Sequence, residues 1–159
     1  MRTTPTVREA QDGEADEVLR VLERAFREYE GRLDPPSGVF AETAESLARR
    51  IALRQVLVCE TGGDLVGCAF CSPEASYLYV GRFGVVPEWR HSGAGSLLLE
   101  AAEARARELG YERTRLNVRL VLDGLRRYYE RRGYGAIEYL THEGYPGPTY
   151  VQMEKILRR

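Results

Sequence analysis

The sequence predicts an α/β fold of the α+β kind: a mixed, mostly antiparallel central sheet of about six to seven strands flanked by about four helices. Three observations point to it. The chain has 159 residues with 43% hydrophobic content, enough for one real core and too few for two, so residues 1–159 are expected to form a single domain. Apolar spacing switches between strand and helix periods in the order β-α-α-β-β-β-α-β-α-β-β. That order contains a strand-helix-strand crossover and two hairpins, which puts parallel and antiparallel neighbours in one sheet.

Each element has its own signal. A short extended piece around "TVREA" comes first. From about Gly13 to Glu30, Val18, Leu19, Leu22, Ala25 and Phe26 recur at helical spacing. Gly31, Pro35, Pro36 and Gly38 break that helix, and "ETAESLARRIAL" starts another. "QVLVCE" and "DLVGCAFCS" flank Thr61-Gly62-Gly63, which supplies the backbone freedom of a hairpin turn. "YLYVGRFGVVP" is the next strand, and its Gly81 and Gly84 predict a bulge or a close backbone approach. A helix begins near Gly95 and is capped by Gly110. In "RTRLNVRL", Leu116, Val118 and Leu120 alternate with Arg115, Asn117 and Arg119, the period of a strand. Asp123 is the expected cap of a short helix "GLRRYYERR" ending at Gly133, and "GAIEYL" and "TYVQMEKIL" are the last two strands.

Charge limits the partners. With 23 basic and 24 acidic residues the formal charge is −1, which gives no bulk reason to bind nucleic acid or an anionic membrane. Any anion site must therefore be local. Lys155 is the only lysine, and seven arginines crowd between Arg113 and Arg132. The polar start has no signal-peptide core and no stretch has the length of a membrane span, so a cytoplasmic location is expected. Cys59, Cys68 and Cys71 lie in apolar surroundings and read as reduced core thiols. "CAFC" has no second Cys/His pair at metal-ligand spacing, so no metal is expected.

The chemistry concentrates in Arg90-His91-Ser92-Gly93-Ala94-Gly95-Ser96, between the strand "FGVVP" and the helix that follows. A helix start offers backbone N–H groups without intrahelical partners and the positive end of the helix dipole, and glycines let a phosphate come close. Arg90 adds a planar, fixed cation. Glycines could also serve a plain strand-to-helix turn. A Walker loop would need Gly-Lys-Ser/Thr, and no lysine precedes Lys155. A dinucleotide fingerprint would need a third glycine where Leu98 stands, and an acid closing the next strand, which "RLNVRL" lacks. The Arg/Gln-x-x-Gly-x-Gly/Ala loop that grips the pyrophosphate of coenzyme A remains.

With "GRFGVVPEWRHSGAGSLLLEAAEARARELGY" and "RRYYERRGY" in this order, the sequence resembles the GNAT superfamily of acyl-CoA-dependent N-acetyltransferases over roughly residues 6 to 156. The resemblance implies an acetyl-CoA co-substrate and direct transfer to a primary amine of a small molecule or peptide. It implies that Phe83, Val85 and Val86 pair with the pantetheine arm through their backbone, with an N–H near Val85 or Val86 as oxyanion donor. Arg90, His91, Ser92, Gly93, Ala94, Gly95 and Ser96 would wrap the pyrophosphate. Tyr129 would act as an acid or hydrogen-bond donor to the departing thiolate. Many relatives carry an asparagine just upstream; here the region reads "VLDGLRR", and Asp123 or backbone groups would have to substitute.

The acceptor side is less marked. The amine must lose a proton before it attacks; Glu74 and His142 are the candidate bases, with Glu143 and Glu42 behind them. "GRLDPPSGVFAET" and "THEGYPGPTY" are the loops expected to face the thioester, where Asp34, Glu42, Glu143 and Tyr145 would contact the acceptor and their acids would attract a cationic amine. The arginine-rich segment could reach the phosphorylated ribose of the coenzyme. A homodimer is common in the resembled family. A non-catalytic acyl-CoA-binding or sensor domain, a transferase for a longer acyl-CoA and an unrelated phosphate-binding module are the alternatives.

Overall fold

A computed structural model describes residues 3–158. The elements are β1 (Thr6–Glu9), α1 (Ala15–Phe26), α2 (Ala44–Ala52), β2 (Val56–Thr61), β3 (Asp64–Pro73), β4 (Leu78–Val85), α3 (Ala94–Glu108), β5 (Arg113–Arg119), α4 (Asp123–Glu130), β6 (Gly135–Leu140) and β7 (Tyr150–Ile156). They form one seven-stranded sheet in the order β1-β2-β3-β4-β5-β7-β6. Every neighbouring pair is antiparallel except β4 with β5. The expected fold class and element order are both met.

Two boundaries differ from the expectation. The first helix stops at Phe26 and continues only as a 3-10 turn over Arg27–Tyr29, because the chain then turns to bury Leu33 and Val39. Asp123 is the first residue inside α4 and Leu122 takes the cap position without a side-chain bond. Asp123 therefore acts on the dipole of the first turn rather than as a cap.

β3 is buried at consecutive positions from Leu65 to Cys71, so both of its faces are covered. α1 packs on one face through Val18, Val21, Leu22 and Ala25, and α3 on the other through Leu98, Leu99, Ala102 and Ala106. Cys59, Cys68 and Cys71 are free and buried in this core. Burial pushes the Cys59 thiol up to about 11 and those of Cys68 and Cys71 up to about 12, so none is a ready nucleophile. Among the described residues no helix is long and apolar enough to cross a membrane.

The sheet opens between its two parallel strands. β4 and β5 pair only at Leu78 with Thr114 and Tyr79 with Arg115, and diverge beyond that point. The register of β4 against β3 explains part of this. Cys68 faces Gly84 and Phe70 faces Gly81, so β4 carries one extra residue in that interval. Such a bulge bends and twists its strand, and Arg82 within it takes a φ of 46°. β5 keeps full pairing with β7 along its other edge.

Candidate active site

The splay holds a cavity of about 950 Å³ lined by β4, β5, α4 and the loop from Arg90 to Ser96. Its walls follow from the register. The Val86 amide donates to the Val66 carbonyl at 2.9 Å, so in the antiparallel alternation the backbone groups of Val85 point the other way, into the splay. The Val85 carbonyl duly accepts from Arg90 Nε at 3.2 Å. Val85 therefore keeps its amide open toward the splay with its carbonyl held by Arg90, while the Val86 amide is already committed to the sheet.

The loop is shaped by its backbone. Gly93 holds a φ of 92° at the N-terminus of α3, a left-handed conformation that strains any side chain carrying a Cβ. Ser92 Oγ accepts from the Ala94 amide at 3.3 Å. Among the described residues the amides of His91, Ser92, Gly93, Gly95 and Ser96 have no protein acceptor. They form a nest of free donors at the positive end of a 15-residue helix.

Arg90 lines the cavity and also makes contacts that the sequence did not suggest. Besides Val85, it donates to the Ala25 carbonyl at 2.9 Å and pairs with Glu28 at 2.7 Å. It ties the loop to the end of α1, with its charge already balanced. Arg132, from the end of α4, stands beside the nest instead. Its guanidinium lies 3.5 Å from the Tyr128 ring centroid and donates to Ser96 Oγ at 2.9 Å, and no carboxylate pairs with it among the described residues. Arg131 lines the same cavity.

Tyr129 on α4 lines the cavity and is only 4% exposed. Phe83, Tyr128 and Tyr134 surround its ring at centroid distances of 6.0, 5.5 and 5.8 Å. Its hydroxyl has no protein partner among the described residues. Burial drives its ionisation far above the ordinary phenol range, so it stays a proton-bearing donor at neutral pH. Tyr134, by contrast, is held by Thr114 and donates to the buried Glu103, which pairs with Lys155 at 2.9 Å.

Two loops meet beside the opposite end of the cavity. The Tyr145 hydroxyl donates to Asp34 Oδ1, and both residues, expected at the acceptor, stand outside the lining. Arg119 donates to the Pro35 carbonyl at 2.6 Å and the Pro36 carbonyl at 3.2 Å. His142 faces the Tyr150 ring at 4.7 Å and shares a hydrogen bond between Nδ1 and Thr149 Oγ1. Burial, with a smaller contribution from Arg119, holds the His142 imidazolium below its ordinary range.

The Acetyltransferase (GNAT) family model matches residues 15–134, most of the chain. The chain belongs to the GNAT acetyltransferase family. Solved structures carry the same fold along nearly all of the chain. PaiA N-acetyltransferase from Thermoplasma acidophilum, crystallised with coenzyme A, is 19% identical at a TM-score of 0.82, covering 96% of this chain and 99% of its own. Ard1 from Thermoplasma volcanium is 21% identical at 0.75, covering 98% and 99%. The ribosomal-protein-S18-alanine N-acetyltransferase from Escherichia coli is 16% identical at 0.73, covering 96% and 93%. Among curated proteins no sequence matches significantly.

In this GNAT acetyltransferase the fold brings Phe83, Val85, Arg90, His91, Gly93, Gly95, Ser96, Tyr129 and His142 to one cavity. Ser92 and Ala94 support the loop from behind. Val86 turns its side chain to the far side of β4. Glu74 lies exposed in the β3–β4 hairpin, outside the cavity lining, with its backbone bound to Tyr77 and to the Tyr111 hydroxyl. Glu143 is exposed and also outside it. Glu42 is paired with Arg82 at 3.4 Å and accepts from Ser46 at 2.9 Å. Arg82, Arg119 and Arg132 line the cavity too, although the sequence did not mark any of them individually as a site residue. The arginine-rich segment was the signal for Arg132; Arg82 had only its neighbouring glycines.

Proposed function

We propose that this GNAT acetyltransferase transfers an acetyl group from acetyl-CoA directly to a primary amine of a small molecule or peptide. The observation that carries the reading is one cavity joining a nest of free amides, an open strand edge and the protonated Tyr129 hydroxyl. The donor set suits coenzyme A. The amides of His91, Gly93, Gly95 and Ser96, with Arg131 and Arg132, match a pyrophosphate, and the open Val85 amide matches an amide-bearing pantetheine arm. The crystallised complex of the PaiA relative with coenzyme A supports the same choice.

The amine attacks the thioester carbon while the C–S bond breaks, and the chain's own groups manage charge. The Val85 amide faces the splay, where it can bond to the carbonyl oxygen as negative charge develops there. The Tyr129 hydroxyl donates a hydrogen bond to the departing sulfur. A thiol has an ordinary pKa of about 8.5, and burial lifts the Tyr129 phenol above its own ordinary value, so full proton transfer is uphill and hydrogen bonding is its role. His142 stays neutral to lower pH than an ordinary histidine and faces the same cavity, so it can take the amine's proton directly or through water. With buried thiols of raised pKa, no cysteine carries the acyl group.

Thiol release from acetyl-CoA across a panel of amines tests this. Release with at least one amine is expected, and Tyr129→Phe should slow single-turnover transfer about ten-fold, or 1.4 kcal/mol. An unchanged single-turnover rate would remove Tyr129 from the chemistry. Tight coenzyme A binding with no release would favour a binding or sensor domain instead.

A further inference from the structure

We infer that the acceptor amine carries a carboxylate, and that Arg82 and Arg119 bind it at the end of the cavity remote from the phosphate loop. This rests on the transferase reading above and names the class of its acceptor.

The charge census of the cavity argues against a polycationic amine. Glu28 is the one acid lining it among the described residues, and Glu28 is already paired with Arg90 at 2.7 Å. The acids nearby stand outside the lining: Glu42 is paired with Arg82 and accepts from Ser46, Asp34 accepts from the neutral Tyr145 hydroxyl, and Glu143 is exposed. A second ammonium would find no unpaired carboxylate in the lining.

Cationic donors are in surplus. A guanidinium has five N–H groups. Arg82 uses one, in its 3.4 Å contact with Glu42. Arg119 spends two on the neutral carbonyls of Pro35 and Pro36 and pairs with no carboxylate among the described residues. Both line the cavity, and one short loop seats both. Arg119 holds Pro35 and Pro36, and Arg82 lies over Gly38, where an added Cβ would stand 2.8 Å from Nη2.

Arg82 also occupies a costly position. A non-glycine residue at φ 46° is strained, yet the bulge aims this cation into the splay. Two planar forks at one wall suit a carboxylate. They would also lower the pKa of an amine bound beside them and so favour its neutral, nucleophilic form.

The test compares wild-type kcat/KM, at saturating acetyl-CoA, for free amino acids, their carboxamides and aliphatic diamines. A free acid should exceed its carboxamide about ten-fold or more, as expected for one lost charge-assisted contact. Arg82→Gln should erase that preference while coenzyme A affinity stays unchanged; Arg119→Lys is the second variant. Equal rates for acid and carboxamide, or a preference for diamines, would overturn the inference and leave the transferase reading intact. No thiol release with any amine would overturn both.

Discussion

At the proposed donor end the cavity is lined by His91, Gly93, Gly95 and Ser96 of one short segment, presenting backbone amides. Beside the proposed acceptor end two loops meet through side chains 111 positions apart, Tyr145 on Asp34. The first end depends on main-chain geometry, which glycine and a helix start dictate locally. The second depends on which side chains meet after folding. A family that keeps its donor and changes its acceptor can therefore alter one end without disturbing the other.

The sharpest test of this contrast is Gly93→Val. Gly93 sits at φ 92° with open space around its Cβ position, so the substitution acts through the backbone and not through a clash. A left-handed conformation costs an L-residue about 1–2 kcal/mol, and more for a β-branched one. Relieving that strain would swing the free amides out of their shared direction. Coenzyme A affinity, read by calorimetry, should fall roughly 100-fold, or about 2.7 kcal/mol, with a lower melting temperature. Unchanged affinity would mean that side chains, not amides, hold the phosphates.

The same contrast explains what the sequence made legible. The element order could be read because each helix and strand carries its own period, and Gly93 and Gly95 could be placed at a helix start because that follows from neighbours within a turn or two. Arg90 bonds to the Ala25 carbonyl at the end of α1 and to Glu28 in the 3-10 turn after it, contacts beyond any local pattern. Glu42 looked like a free acid until Arg82 was seen beside it. Arg82 itself is aimed by a one-residue bulge, which depends on pairing between two strands. No periodicity reports such a meeting.

At the acceptor end the expected effect is smaller. Tyr145→Phe removes the one hydrogen bond between the two loops and no apolar contact, and the residue is part-exposed. KM for the acceptor should rise about five-fold, in line with one hydrogen bond to a charged group at the surface. Coenzyme A affinity should not change. A matching loss of coenzyme A affinity would show that the two ends are coupled and would break the comparison.

The smallest effect concerns His142. Burial and Arg119 hold its native pKa below the ordinary 6.5, so the folded protein binds fewer protons than the unfolded chain in that range. Above pH 6.5 the imidazole is neutral in both states and contributes nothing. As pH falls from 6.5 the unfolded chain is protonated first, so folding stability is lost until pH passes the native value. His142→Gln has no charge to gain and should flatten this slope. The melting temperature of the wild type should therefore fall between pH 7 and pH 5 by about 1–2 °C more than that of the variant. Parallel curves would show that neither burial nor Arg119 acts on the His142 imidazole.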